Sequence, residues 1–231
     1  AIVDEIQGNI RAAISHHFES IEIFELIDSP KHLAWAYNGM GALHYQQYDY
    51  EQALAYFLRS KRIREELNDP VEVAKSMVNI ALIFNKTEQF DSSLLYLKLS
   101  LRPFVGNEDL LMESIVYLNL GSTYSYMGEL DSAGLYFNKA EEIQKQIGDT
   151  EGLGVLYRKL GELYSEKKQP ETALEYYELS LGYARELGDI GRYIETRRAQ
   201  YLVYESIGDY ENAYRIQADY LILRDSLINI S

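Results

Sequence analysis

The side chains able to trade a proton or hold a metal near neutral pH are few in kind: four histidines, His16, His17, His32 and His44, among 36 carboxylates in a 231-residue chain without cysteine. Imidazole is the commonest neutral ligand for zinc and the usual general base, so these four are the first candidates. Adjacent His16 and His17 point about 100° apart on a helix and cannot line one face together. The carboxylates lie in solvated runs such as Glu65-Glu66 and Glu141-Glu142. Without cysteine there is neither a disulfide nor a thiol nucleophile. No glycine-rich phosphate loop, H-E-x-x-H helix or nucleophile elbow occurs, and Gly152-Leu-Gly154 is too short for a dinucleotide fingerprint. The expectation is therefore a protein with no catalytic group, no metal and no cofactor, working by recognition.

Any recognising side chain must be positioned by an internal repeat, because five stretches of the chain superpose at a spacing of 40 residues without insertion. One column reads Gly41, Ala81, Gly121 and Gly161, weakening at Tyr201; three residues on it reads His44, Phe84, Tyr124, Tyr164 and Tyr204. A small column, Ala53, Ser93, Ala133, Ala173 and Ala213, precedes a bulky one, Phe57, Leu97, Phe137 and Tyr177, which fails at Gln217. Counting back places Gly8, Ala13 and His17 in register with Tyr48, Ala53 and Phe57, so the chain begins inside a repeat. His44 and His17 thus occupy aromatic packing columns, which argues against ligation.

Within each unit the apolar residues fall at helical spacing in two runs, so each unit is a pair of helices. The turn inside a unit carries Asp49, Gly128 or Gly208-Asp209, and the turn between units carries Asp28, Asn68, Glu108, Gly148 or Gly188. Asp supplies an N-cap and Gly a left-handed C-cap. Pro30 and Pro70 stand where a first helical residue would be, behind Ser29 and Asp69 as caps. Pro103 should end its helix early and leave Phe104 to Glu108 as a longer connection, with Phe104 and Val105 read as an exposed contact point or a packed irregular turn.

Net charge is −14 and the isoelectric point about 4.7. That balance disfavours a phosphate-binding surface, so direct nucleic-acid binding is not expected. No run of 18 apolar residues is present and no membrane span is expected.

Leu118-Asn-Leu-Gly-Ser-Thr-Tyr-Ser-Tyr-Met-Gly-Glu-Leu-Asp-Ser-Ala133 and Lys159-Leu-Gly-Glu-Leu-Tyr-Ser-Glu-Lys-Lys-Gln-Pro-Glu-Thr-Ala173 carry a small residue, an aromatic three residues later and an alanine early in the second helix. This pattern resembles tetratricopeptide repeats over essentially the whole chain. Their usual unit is about 34 residues, so each pair here is longer by one to two helical turns. The resemblance implies an all-α right-handed solenoid of antiparallel helix pairs: one domain over 1–231, with a partial repeat at 1–28 and units near 29–68, 69–108, 109–148, 149–188 and 189–231. Most of the 21 tyrosines are then packing residues.

It also implies that the first helix of each pair lines a groove that takes a protein or peptide. By register that groove should present Trp35, Asn38, Tyr45, Lys75, Asn79 and Lys86 from the first pairs. Later pairs add Asn119, Tyr126, Arg158, Lys159, Glu162, Arg198 and Glu205. Asn79, Asn119 and Lys159 share one column; Asn38, Arg158 and Arg198 share its neighbour. Amides can pair with a peptide backbone, and Arg or Lys, expected to be exposed, with carboxylates. Val78 and Leu118 depart from the Lys/Asn set by which chaperone-binding members hold a terminal carboxylate.

The last segment, Tyr220 to Asn229, carries apolar residues on more than one helical face, and its Arg-Asp-Ser-Leu resembles the end of the repeat array in bacterial membrane-tethered regulators. That likeness and the mid-repeat start lead to the expectation of a sensory or scaffold part of a larger signalling regulator, extracytoplasmic if tethered, with self-association or covalent continuation at the C-terminal end. Arrays of this longer period also resemble cytosolic peptide-responsive regulators and polarity adaptors. The alternative is a free-standing cytosolic adaptor bridging protein partners.

Overall fold

The computed structural model describes the backbone of residues 2–105 and 109–230 and the side chains of 12–105, 109–219 and 221. The described residues form helices and turns, without strands. The first helices of successive pairs are α2 (Pro30–Gln46), α4 (Pro70–Lys86), α6 (Leu110–Tyr126), α8 (Thr150–Glu166) and α10 (Ile190–Ser206), each starting 40 residues after the last. The second helices are α3 (Tyr50–Glu66), α5 (Phe90–Leu101), α7 (Leu130–Ile147), α9 (Pro170–Leu187) and α11 (Tyr210–Ile230), and α1 (Ile2–Leu26) precedes them all. Two compact units result, Ala1–Asp109 with α1 to α5 and Leu110–Ser231 with α6 to α11. Within each, every helix packs on the next; in the second unit α6 also touches α8, and α8 touches α10.

The pairs close because the glycine column lets a ring approach the backbone. A Cβ on Gly121 would lie 2.5 Å from Phe137, and one on Gly161 2.5 Å from Tyr177, closer than any real contact. Phe137 and Tyr177 are accordingly buried, as are Phe57 against Gly41 and Leu97 in the pair whose column residue is Ala81. A second layer of ring pairs repeats in register: His44 on Tyr56 at 5.3 Å, Phe84 on Tyr96 at 5.4 Å, Tyr124 on Tyr136 at 5.4 Å and Tyr164 on Tyr176 at 5.2 Å between centroids. Buried hydroxyls fasten second helices to first ones, Ser60 Oγ donating to the Ala34 carbonyl and Ser180 Oγ to that of Gly154, each at 2.8 Å.

The turns repeat every 20 residues rather than every 40. Positive φ occurs at Asp28, Tyr48, Asn68, Glu88, Gly128, Gly148, Lys168, Gly188 and Gly208; Glu108, expected to be a turn residue, lies outside the described residues. Asp49, Asp69, Asp149 and Asp189 accept the backbone N–H three residues on, as N-caps do. Ser29 departs from the expected cap: its hydroxyl lies 2.8 Å from His32 Nδ1 instead. Pro103 does shorten α5, which ends at Leu101. Of the two readings of the connection, Phe104 follows the packed turn, being fully buried, whereas Val105 is exposed; Gly106 to Glu108 lie outside the described residues. The apolar side chains from Tyr220 to Asn229 are, Leu221 apart, also outside them. Among the described residues no helix is long and apolar enough to cross a membrane.

Candidate functional site

In the unit Ala1–Asp109 the side chains of α2 and α4 meet across a seam. Asn79 Nδ2 donates to Asn38 Oδ1 at 2.9 Å, so each amide spends one group on the other. Lys75 reaches Glu72 Oε1 at 2.8 Å, and the other Glu72 oxygen takes Arg64 Nη2 at 3.0 Å. Arg64 comes from the last turn of α3 and is only 5% exposed. It also donates to the Glu72 carbonyl at 3.0 Å and the Ser76 hydroxyl at 2.8 Å. Burial pulls its pKa below the usual guanidinium value, with the Glu72 and Asp69 charges opposing. Beside this pair opens a cleft of about 600 Å³ whose wall includes Lys31, His32, Trp35 and Leu67. Trp35 is 73% exposed there. Tyr45 turns its ring toward Tyr50, 5.8 Å between centroids, and Lys86 is exposed.

In the unit Leu110–Ser231 a row of charged side chains on α8 and α10, with one aromatic ring on α6, crosses three first helices. Lys159 Nζ of α8 lies 5.8 Å from the centroid of the Tyr126 ring on α6. The same ammonium donates to Glu162 Oε2 at 2.8 Å, while Arg158 Nη1 pairs with Glu162 Oε1. Arg158 Nη2 faces Glu195 Oε2 of α10 at 3.8 Å. One carboxylate therefore holds two cations. This corrects the expectation that Arg158 and Lys159 stand exposed: their side chains are 21% and 19% exposed. The reason is local, since Glu162 sits four and three residues on, where helical side chains meet. Arg158 Nε is buried without a hydrogen-bond partner. Arg198, one repeat beyond Arg158, is exposed. Asn119 spends its amide on the Ile115 carbonyl of its own helix at 2.8 Å, and Glu205 accepts from the Tyr201 hydroxyl at 2.8 Å.

His16 is exposed beside Glu19, and the other three histidines pack against neighbouring groups. His44 stacks on Tyr56, His32 on Phe24, and the His17 ring lies where a Cβ on Gly39 would be. Among the described residues no three His, Cys, Asp or Glu side chains converge to hold a metal.

A family model described as tetratricopeptide repeat matches residues 1–66, 32–104 and 112–186. The chain belongs to the tetratricopeptide repeat family. A solved neighbour, BtubC from P. vanneervenii, is 17% identical with a TM-score of 0.78, covering 94% of this chain and 92% of that one. The Rap conjugation gene regulator of the plasmid pLS20, solved in complex with the Phr* peptide, gives a TM-score of 0.74 at 17% identity over 85% of this chain and 55% of that one. At such identities the likeness is one of fold. In sequence, the chain is 30% identical over 159 residues to the transcriptional activator NprA of Geobacillus stearothermophilus, spanning 68% of this chain and 39% of that protein.

Two features of this tetratricopeptide repeat array escape the sequence reading. Arg64 shares a column with Phe24, Phe104, Gln144 and Ala184; a cation in a packing column is a readable signal for a buried pair. Glu195 carries no such mark, because its contact with Arg158 depends on how α8 and α10 are spaced.

Proposed function

We propose that this chain is a non-catalytic protein- or peptide-binding module, the sensory or scaffold part of a larger bacterial regulator. The observation that carries the reading is the Tyr126, Lys159, Glu162, Arg158 and Glu195 row on the second unit. It is a pre-assembled strip of aromatic, cationic and acceptor groups, of the kind that holds a peptide backbone and its charged side chains. Arg198 extends the strip, while Trp35, Asn38, Tyr45, Lys75 and Asn79 supply the corresponding face of the first unit and Asn119 an amide on α6. The peptide named with the Rap regulator and the activator role named for NprA support the same direction. The division into a partial repeat at 1–28 and five units from 29–68 to 189–231, within one domain, is part of this proposal.

A ligand carboxylate arriving at Arg158 and Lys159 must compete with Glu162. The gain per contact is then the difference between a buried charged hydrogen bond, about 1.5–3 kcal/mol, and a partly exposed ion pair of about 0–1 kcal/mol. The test is a pull-down from cells of the source organism with wild type and the Arg158→Ala/Lys159→Ala/Arg198→Ala variant side by side, bound proteins being identified by mass spectrometry. A partner kept by wild type and lost by a still-folded variant is the expected result; identical recoveries would refute the strip.

A free-standing adaptor bridging protein partners is the second reading, with which the tetratricopeptide repeat match is equally compatible. A natural gene encoding only these repeats would select it.

A further inference from the structure

Trp35, the one tryptophan of the chain, departs from its column: at the same position the later repeats carry Lys75, Ile115, Val155 and Glu195. Arg64 departs from another, where Phe24, Phe104, Gln144 and Ala184 stand. The two departures meet in space, because both line the cleft of about 600 Å³ in the unit Ala1–Asp109. Its walls come from α2, the end of α3 and the start of α4; α1 packs on α2 and α5 on α4, so described helices flank the cleft on both sides. The volume lies within the roughly 300–1,000 Å³ of pockets that hold a whole small molecule.

The polar groups of the cleft divide into spent and unspent. Glu72 holds Lys75 with one carboxylate oxygen and Arg64 with the other, and Asp69 Oδ1 caps α4 by accepting the Glu72 N–H at 3.1 Å. His32 is pinned between the Ser29 hydroxyl and the Phe24 ring. Arg64, only 5% exposed, has five N–H donors, of which Glu72 and Ser76 engage three; its Nε has no partner among the described residues. The exposed Lys31 ammonium and the Trp35 indole N–H likewise make no hydrogen bond or ion pair with a described residue. Lys31, Arg64 and Trp35 thus keep donors free, two of them on cations, beside an apolar wall of Trp35 and Leu67.

We propose that this cleft binds a small aromatic anion, a planar ring carrying a carboxylate or phosphate group. The ring stacks on the Trp35 indole and lies against Leu67. The anionic group takes charge-assisted hydrogen bonds from Lys31 at the mouth and from the unspent Arg64 N–H at the floor. The carboxylates of the cleft do not compete for Arg64 Nε, since Glu72 is already shared between two cations and Asp69 is turned to the α4 backbone. A net charge of −14 disfavours a nucleic-acid backbone, so a phosphate held here belongs to a small molecule. The site goes beyond the peptide-binding strip of the second unit and does not depend on it.

The single tryptophan makes the cleft its own reporter. Excited where tyrosine does not absorb, Trp35 emission is followed while the full chain is titrated with phenyl phosphate and with phenylacetate. Benzyl alcohol, which lacks the charge, and inorganic phosphate, which lacks the ring, are the controls. At least one aromatic anion is expected to change the emission with a dissociation constant on the order of millimolar, at least tenfold tighter than either control, and the tighter of the two names the head group. Lys31→Glu should weaken binding tenfold or more with helical circular dichroism unchanged, because Lys31 is exposed; Lys31→Arg should retain it. Leu67→Glu, which sets a carboxylate in the apolar wall, should also weaken it tenfold or more. Equal binding of benzyl alcohol, binding that survives Lys31→Glu, or no response to either anion would each overturn the site. If the anions fail while the Arg158→Ala/Lys159→Ala/Arg198→Ala variant still loses a pull-down partner, the cleft site falls and the peptide-binding module stands.

Discussion

Gly121→Ala sets two known effects against each other. Alanine is the better helix former by about 1 kcal/mol in a helix interior. Against that, its Cβ would sit 2.5 Å from the Phe137 ring, which is fully buried and has no open side to move toward. Overpacking of this kind costs roughly 1–3 kcal/mol, so the net expectation is a loss of about 1 kcal/mol, opposite in sign to propensity alone. The chain carries its own control, because the preceding unit has Ala81 with Leu97 in the same two columns. Phe137→Leu by itself leaves a void and should cost roughly 1–2 kcal/mol, a fraction of the 3–5 kcal/mol typical of Phe→Ala. The double variant recreates the Ala81 and Leu97 combination and should be destabilised by less than the sum, with a coupling of at least about 1 kcal/mol. A repeat array need not unfold in one step. The assay is therefore native-state hydrogen exchange of the α6 and α7 amides, which reads local stability. Slower exchange in Gly121→Ala, or strictly additive losses, would refute the claim that ring approach dictates glycine here.

Three further outcomes follow from particular contacts. Burial, with the Glu162 charge second, holds the Tyr177 hydroxyl well above its ordinary pKa, and burial also raises Tyr37, Tyr117, Tyr157 and Tyr176. Their folded pKa values exceed the unfolded value of about 10, so their contribution is complete below that pH and lost as pH rises through the folded values. Circular dichroism against pH should show alkaline unfolding, with tyrosinate absorbance rising in step; loss of helix beginning near neutrality would contradict it. Glu72→Ala strands the Arg64 guanidinium and should cost about 1–3 kcal/mol in urea unfolding, whereas Arg64→Met with Glu72→Leu should recover most of it. Gln169, which begins α9 ahead of Pro170 without a side-chain cap, should gain about 1 kcal/mol on Gln169→Asp; no rise in melting temperature would count against it.

The 40-residue period, the two helices per unit and the columns that seal them are legible in sequence, because helical spacing and the need for a small residue under a ring are local demands that each repeat restates. The first helices begin at Pro30, Pro70, Leu110, Thr150 and Ile190 in keeping with that register. The sequence also marks Pro103 as a helix end and leaves Phe104 either exposed or packed, and the fold buries it. Tertiary packing decides the rest. Tyr48, Glu88 and Lys168 take positive φ, at a local cost of roughly 1–2 kcal/mol, because the return of one helix onto the next is a stronger constraint than the preference of the turn residue. Likewise Asn38 with Asn79, Arg64 with Glu72 and Arg158 with Glu195 are pairings between helices. Register assigns each residue a face; only the distance between helices settles which neighbour its polar atoms reach, and so which cations, like Arg64 and Arg158, are spent inside the protein.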